Sequence, residues 1–244
     1  MIVTTLGTGS ILTDRLSSCF IVNRDLMIDV PNGSVKAARR AGFVPMEITA
    51  LLVSHFHADH FFDIVFLLLE LGLRNVREND FIIVGPPGIE ARTVELFDLA
   101  YPESRERVMQ NSRAVFIEVL EGGESISIGD YVITPRIVKH TVETALGFEV
   151  SDSTTSVGFS GDSELCQSIR DICSNVSTAF FDTSFLTGRK GHMGLSDIKV
   201  LIEQHPGLRV IATHMSDEVS TLTGMVMPQI PYDGQEFTIS AANG

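Results

Sequence analysis

His55-Phe56-His57-Ala58-Asp59-His60 places three imidazoles and one carboxylate within a single turn-sized stretch. An isolated histidine is more often a satisfied core or surface side chain than a ligand. Three in six residues, with Asp59 interleaved, are a different case. Without a metal they would become several like charges in close quarters as pH falls, which is costly. The segment therefore reads as a metal site. Ahead of it, Ile48-Thr49-Ala50-Leu51-Leu52-Val53-Ser54 is a short apolar, β-branched run expected to be a buried strand. After it, Phe61 to Leu73 is apolar nearly all round, interrupted by Asp63, Glu70 and Gly72. This reads as a buried helix, too short for a membrane span. In extended chain His55 and His57 point the same way, whereas Asp59 and His60 turn into the helix start and face a second position. That arrangement suits two neighbouring ions better than one.

The chain has 244 residues, 44% of them apolar, enough for one large core. No Ser/Gly/Pro-rich linker, low-complexity tract or repeat interrupts it, and residues 1–244 are expected to form a single domain. Met1-Ile2-Val3-Thr4-Thr5-Leu6-Gly7 runs straight into a strand pattern without a basic or long apolar leader, so no signal peptide is expected. Cys19, Cys166 and Cys173 are odd in number and follow no CxxC or zinc-finger spacing. They read as reduced thiols of a cytoplasmic protein. A formal charge of −13 weighs against nucleic acid as the main partner, because phosphate-tracking proteins carry a basic stripe. Arg39-Arg40 is an adjacent basic pair but an isolated one, and Arg105, Arg107 and Arg113 lie in a mixed-charge segment that reads as a solvated helix face. Two divalent ions would offset about four negative charges, leaving the chain acidic. A small anionic substrate fits better, with no membrane partner.

Strands are expected at Cys19 to Asn23, Leu26 to Asp29, Phe81 to Gly85, Ala114 to Val119, Tyr131 to Val138, Val157 to Ser160, Thr178 to Phe181 and Leu208 to Ala212. Helices are expected at Ser34 to Ala41, Phe61 to Arg74, Ile89 to Ala100, Glu164 to Cys173 and Leu195 to His205. Strands in both halves with interspersed amphipathic helices suggest two packed sheets covered by helices. His140, Asp162 and His214 each follow a strand pattern, as His55 does. Tips of neighbouring strands share one edge of a fold, so these four side chains can converge.

The order His55-Phe56-His57-Ala58-Asp59-His60, His140, Asp162, His214 resembles the metallo-β-lactamase-fold hydrolases, over nearly the whole chain from Leu6-Gly7-Thr8-Gly9-Ser10 to Glu236-Phe237-Thr238-Ile239. The branch it looks most like is that of ribonuclease Z and related phosphodiesterases. Gly7-Thr8-Gly9, His140-Thr141 followed by Leu146-Gly147-Phe148, Ser160-Gly161-Asp162 and Gly191-His192-Met193 carry that likeness. The resemblance implies an α/β, four-layer αββα sandwich of two mixed β-sheets flanked by helices, with the site at one edge. It also implies one metal on His55, His57 and His140, a second on Asp59, His60 and His214, and Asp162 bridging both. The tRNA-processing members carry a protruding arm between the equivalents of His140 and Asp162. Here only 21 residues separate those positions, which makes tRNA 3′-processing the less favoured activity.

A dinuclear centre can hold a bridging hydroxide, because coordination lowers the pKa of water from near 16 toward about 7, and it can stabilise charge on a phosphodiester. The donor set fits zinc, manganese or iron. Asp59 and His192 are the catalytic candidates. His192 lies in the glycine-flanked loop Lys190-Gly191-His192-Met193-Gly194 and looks like the proton donor of ribonuclease Z-like enzymes. Its bland alternative is an exposed loop imidazole. Asp182 is expected either to orient a ligand imidazole or to serve a turn or cap, and Asp29 to accept a hydrogen bond from a ligand imidazole. Gly7 and Gly9 lack the third glycine of a dinucleotide fingerprint, Leu12 standing there, and read as a tight turn beside the metals. His205 reads as a surface or capping residue. Tyr101 to Arg113 and Thr221 to Gly234 are expected to shape the pocket mouth or a subunit contact, as in a homodimer. The leading expectation is hydrolysis of a small or cyclic phosphodiester. Acyl hydrolysis of a lactone, thioester or β-lactam is the alternative. Oxygen or nitric oxide reduction is disfavoured, since diiron relatives generally show Glu where His57 stands and need a flavin domain that the sequence lacks. A binding or regulatory module without turnover is disfavoured by the retention of every expected ligand.

Overall fold

Two sheets divide the chain by sequence in the computed structural model, which describes residues 1–73, 76–222 and 227–240. The first half lays down β1 (Ile2–Gly7), β2 (Cys19–Val22), β3 (Leu26–Ile28), α1 (Ser34–Arg40), β4 (Ala50–Leu52), α2 (Ala58–Phe61), α3 (Ile64–Leu73), β5 (Phe81–Gly85), α4 (Ile89–Ala100), α5 (Arg105–Ser112) and β6 (Ala114–Glu118). The second supplies β7 (Ile126–Ile128), β8 (Tyr131–Val138), β9 (Ala145–Ser151), β10 (Ser156–Phe159), α6 (Gln167–Asn175), β11 (Thr178–Asp182), α7 (Leu195–Gln204), β12 (Arg209–Thr213) and α8 (Asp217–Ser220). The last strand, β13 (Gln235–Thr238), returns to β1. Among the described residues the first sheet has seven strands in the order β13-β1-β2-β3-β4-β5-β6, and the second has six in the order β12-β11-β10-β9-β8-β7.

Strand direction decides where the functional side chains emerge. β3, β4, β5 and β6 are parallel neighbours. In the second sheet β9 runs antiparallel to both β8 and β10, and β10, β11 and β12 are parallel. Consequently β8, β10, β11 and β12 all run the same way and end at one edge. Ligands of open α/β sheets sit outside the carboxyl ends of strands for this reason.

Alternation along each strand builds the layers. Leu52 of β4, Phe148 of β9, Phe159 of β10, Phe180 of β11 and Ile211 of β12 face the space between the sheets. Their neighbours Leu51 and Val53 pack under Ile64, Leu67 and Leu68 of α3, and Ala179, Phe181 and Val210 pack under Ile169 and Ile172 of α6 and Ile198 of α7. The result is the αββα sandwich the sequence implied. No helix among the described residues is long and apolar enough to cross a membrane.

Three expectations need correction. The single helix from Phe61 to Arg74 is two, α2 and α3, broken at Phe62 and Asp63. Asp63 ends the first by turning its carboxylate to the start of α1, where Oδ2 accepts the Val35 N–H at 3.2 Å, while its own N–H donates to Val30 at 2.9 Å. This helical pair is also not buried all round: Phe62 and Phe66 are about half exposed, at 47% and 48%. Arg74 lies outside the described residues, as do residues 223–226 of the Thr221 to Gly234 loop. Finally, β7 and β9 were not foreseen. Ala-Leu-Gly-Phe-Glu-Val-Ser in β9 is buried on both faces at its first four positions, so it shows no alternation.

Phe180 stacks on Phe159 at 5.3 Å between centroids and meets Phe20 and Phe237 edge-on or tilted, at 5.2 and 5.5 Å. Phe180→Ala should therefore cost about 3–5 kcal/mol of unfolding free energy in urea. A loss below about 1 kcal/mol would mean this aromatic cluster is not the centre of the inter-sheet core.

Candidate metal centre

His55 follows β4 by three residues, His140 follows β8 by two, Asp162 follows β10 by three, and His214 directly follows β12. His57 caps α2 in an extended conformation, and Asp59 and His60 occupy its first turn. The structure brings all seven together. His55 Nε2 lies 2.9 Å from His57 Nδ1, and His140 Nε2 lies 3.3 Å from the same atom. Across from them, His214 Nε2 and His60 Nε2 lie 3.4 and 3.8 Å from Asp59 Oδ2. Asp162 stands between the groups. Its Oδ2 is 3.9 Å from both His55 and His140 Nε2 and 3.3 Å from His214 Nε2, while Oδ1 is 3.3 Å from His60 Nε2. His55, His57, His140 and Asp162 thus form one set of donors within 4.8 Å of one another, and Asp59, His60 and His214 a second.

The donors also have the right lone pairs. His60 Nε2 and Asp162 Oδ1 are buried yet hydrogen-bonded to nothing, which is rare in a folded protein unless a ligand completes them. The Nδ1 atoms of four rings are occupied elsewhere, leaving Nε2 to face inward. His55 Nδ1 donates to Ser54 Oγ at 3.0 Å, and that hydroxyl donates to Asp29 Oδ2 at 2.8 Å. Asp29 also accepts from His60 Nδ1 at 2.7 Å and from the Ser54 N–H at 2.7 Å. His140 Nδ1 donates to the Gly191 carbonyl at 2.7 Å. On the other side His214 Nδ1 donates to Ser184 Oγ at 2.8 Å, which donates to Asp182 Oδ1 at 2.5 Å. Imidazole, carboxylate and outer acceptors of this kind suit divalent metal.

Electrostatics follow the same geometry. Burial disfavours the Asp162 carboxylate, but His214, His60 and His55 outweigh it and hold its pKa well below the usual carboxylate range. Burial likewise opposes the charged forms of His60 and His214, and is outweighed by Asp162 together with Asp29 or Asp59, so both pKa values are raised. For His55, burial and the neighbouring His60 dominate, and its pKa falls well below the imidazole range.

His192 sits above this centre, its side chain one-fifth exposed. It stacks on His214 with centroids 5.2 Å apart and meets His140 edge-on at 5.0 Å. Its Nδ1 donates to Asp182 Oδ2 at 2.9 Å. Burial lowers its pKa, but Asp182 more than compensates and the net shift is upward. Asp182 therefore takes both of its expected roles, orienting imidazoles and ordering the Thr183-Ser184 turn, whose Ser184 N–H it accepts at 3.0 Å. Asp29 accepts from an imidazole of the first motif, as expected. His205 caps the end of α7 and belongs to none of the donor sets. Gly7 and Gly9 let the following loop fold back: a Cβ on Gly7 would lie 2.0 Å from the Ser17 carbonyl, and Ser10 N–H bonds Met215 beside His214 at 3.0 Å. The two serine hydroxyls were missed from sequence. Their signal was position alone, Ser54 directly before His55 and Ser184 two residues past Asp182.

A chain with this sandwich and this edge belongs to the beta-lactamase superfamily, whose family model, described as Beta-lactamase superfamily domain, matches residues 28–215, from just before Asp29 to just past His214. Its curated relatives include the ribonuclease Z of Lachnoclostridium phytofermentans, 32% identical over 117 residues that make up 48% of this chain and 36% of that protein. The chain spans about a third to two-thirds of the length of the first curated relatives it matches. Among solved structures, the short form of human tRNase Z superposes with a TM-score of 0.76 at 18% identity, covering 98% of this chain and 99% of that one. A diphosphatase of the PhnP family gives the same TM-score at 17% identity, with coverage of 98% and 99%. At such identities these two likenesses speak for the fold.

Asp29→Ala would release rings on both sides of Asp162, whereas His205→Ala touches neither. Titration of metal-free protein with zinc against a chromophoric chelator should show Asp29→Ala weakened about 10–100-fold and His205→Ala unchanged. Equal affinities would remove Asp29 from the support of the centre.

Proposed function

We propose that this chain is a dinuclear metal-dependent phosphodiesterase acting on a small or cyclic, anionic phosphodiester. The observation that carries this reading is the placement of Asp162, whose oxygens lie 3.9 Å from His55 and His140 Nε2 and 3.3 Å from His60 and His214 Nε2, with an imidazole acid beside it. His55, His57 and His140 would hold one divalent ion, and Asp59, His60 and His214 a second. Two such ions supply a water acidified toward neutral pH and positive charge for the anionic oxygens of the diester.

The chain's own residues do the rest. Asp29 and Asp182, with Ser54 and Ser184, keep Nδ1 protons on the outer side of the rings and fix their orientation. Asp182 holds the Nδ1 proton of His192, so in the charged ring the proton on Nε2 is the one left free to be given up. An alkoxide leaves poorly, and protonation by a positioned acid lowers that barrier, typically by 10²–10⁴-fold in rate. Arg189 and Lys190, on the same loop as His192, offer positive charge to an anionic substrate in a chain of net charge −13.

A second reading, tRNA 3′-processing, is favoured by the ribonuclease Z relatives. Against it stand the acidic balance and the short span between His140 and Asp162. β9 and β10 fill that span, joined by residues 152–155 alone, so no protruding arm is present there. Acyl hydrolysis uses the same centre with less need for His192.

Purified protein should carry close to two equivalents of zinc, manganese or iron, and Asp162→Ala should abolish hydrolysis of bis-p-nitrophenyl phosphate. Residual activity near wild type in that variant sinks the shared-carboxylate assignment. For His192, the raised pKa means that its acid form persists above the ordinary imidazole value of about 6.5. Rates with alkoxide leaving groups should therefore decline only as pH rises through that raised value. His192→Ala should lose this alkaline limb and slow alkoxide substrates at least about 100-fold more than nitrophenyl esters. Equal losses on both substrate types would remove its role as acid. Faster turnover of lactones or thioesters than of any phosphodiester would favour the acyl reading.

A further inference from the structure

Glu164 lies two residues past Asp162, half-buried, and belongs to neither donor set. Its Oε1 accepts the backbone N–H of Gly191 at 3.0 Å, and its Oε2 pairs with Lys139 at 2.6 Å. Its own N–H donates to the Lys139 carbonyl at 2.7 Å, which pins Glu164 beside the end of β8. The carbonyl of Gly191 in turn accepts from His140 Nδ1 at 2.7 Å. Lys190 and Gly191 form the tip of a tight turn closed by reciprocal bonds between Arg189 and His192, both 3.0 Å. Gly191 is thus held at its N–H by Glu164, holds His140 through its carbonyl, and immediately precedes His192.

We propose that Glu164 is a positioning residue of the metal centre: its carboxylate fixes the Gly191 main chain, and through it the ring of His140 and the placement of His192. The inference rests on the reading of His140 as a ligand and His192 as the acid. An imidazole oriented by a main-chain carbonyl is only as well placed as that carbonyl. Residues 186–192 lie in neither helix nor strand, and a loop without such a tie is drawn from the least stable part of a fold. Close packing strengthens the coupling. Gly191 has φ +88, and a Cβ there would lie 2.7 Å from Thr141 Cγ2 and 3.2 Å from His140 Nδ1. The Lys139 ion pair is two-thirds exposed on the lysine side and adds little by itself. The working part of Glu164 is an oxygen that accepts, so glutamine should substitute where alanine cannot.

The test compares wild type, Glu164→Ala, Glu164→Gln and Gly191→Ala in two measurements. One is zinc titration of metal-free protein against a chromophoric chelator. The other is steady-state hydrolysis of bis-p-nitrophenyl phosphate. Glu164→Ala should still bind two equivalents at saturation, with one of them weakened about 10–100-fold. Its kcat should fall while KM stays within about two-fold, since the change reaches the centre and not the substrate's own contacts. Glu164→Gln should recover most of both. Gly191→Ala, with Glu164 intact, should reproduce the selective weakening by displacing the turn. Wild-type zinc affinity in Glu164→Ala overturns the proposal, as does an equal loss in the alanine and glutamine variants, which would assign the effect to charge. Should Glu164→Ala fail to fold by circular dichroism, Gly191→Ala decides, and wild-type affinity there overturns it. If one zinc is selectively weakened yet wild type cleaves no phosphodiester, the positioning role stands and the phosphodiesterase reading falls.

Discussion

A single carboxylate, Asp162, stands buried among the imidazoles of His55, His60, His140 and His214, and everything at this edge depends on making that tolerable. Taking an isolated carboxylate out of water costs several kcal/mol even after relaxation, and the penalty is recovered only by close, well-oriented partners. Positive charge on the rings offers one source of relief, but crowding then limits it, as the lowered pKa of His55 beside the raised pKa of His60 illustrates. Divalent ions would resolve the conflict by letting neutral rings and anionic carboxylates face the same charge. The orphaned His60 Nε2 and Asp162 Oδ1 are the trace of that requirement in the protein itself.

Around this carboxylate the supporting groups repeat a pattern. Asp29, at the end of β3, reaches His60 directly and His55 through Ser54. Asp182, at the end of β11, reaches His192 directly and His214 through Ser184. One carboxylate from each sheet therefore orients one ring directly and a second through a serine hydroxyl. Both sheets are locked to the same centre, and a shift of either would disturb rings on its own side. Backbone strain collects at the same places: Asp29 and His214 adopt φ of 56 and 52, the left-handed region that costs a non-glycine residue of order 1 kcal/mol or more. The Phe159–Phe180 stack lies beneath, giving strand ends that can hold such strain a packed and unyielding base.

The first motif was legible because it is local: six residues carry four donors, and the strand before and helix after are set by apolar runs of unequal length. The strand-end logic extended this to His140, Asp162 and His214, since each follows a recognisable apolar run. What sequence hid is non-local. β9 looks featureless because it is covered on both sides, and the helix break at Phe62 and Asp63 comes from a partner, α1, far along the chain. Ser54 and Ser184 are ordinary residues until the rings they touch are placed. Asp182 could be read from sequence only as either an orienter or a turn residue. In the structure it is both, because its two oxygens serve different partners.

The span from His140 to Asp162 also constrains what can reach the centre. After His140 the chain has only residues 141–144 at the site edge before β9 carries it away, and β10 brings it back after the turn at residues 152–155. β9 runs from the site edge to the far edge, so that turn lies at the opposite end of the sandwich from Asp162. Neither link has the length to build a surface that grips a large substrate beside the metals. On the proposed reading, contacts with substrate would come from other loops of the same edge, among them the one after β1, which bonds Met215, and the one that bears Arg189, Lys190 and His192. Both are longer, residues 8–18 and 183–194, and are tied to the centre's own residues, the first through Met215 beside His214 and the second through Gly191 to His140. A recognition surface made of loops so tied would sense the atoms around the scissile bond. Selectivity would rest on leaving-group chemistry and local charge more than on distant features of the substrate.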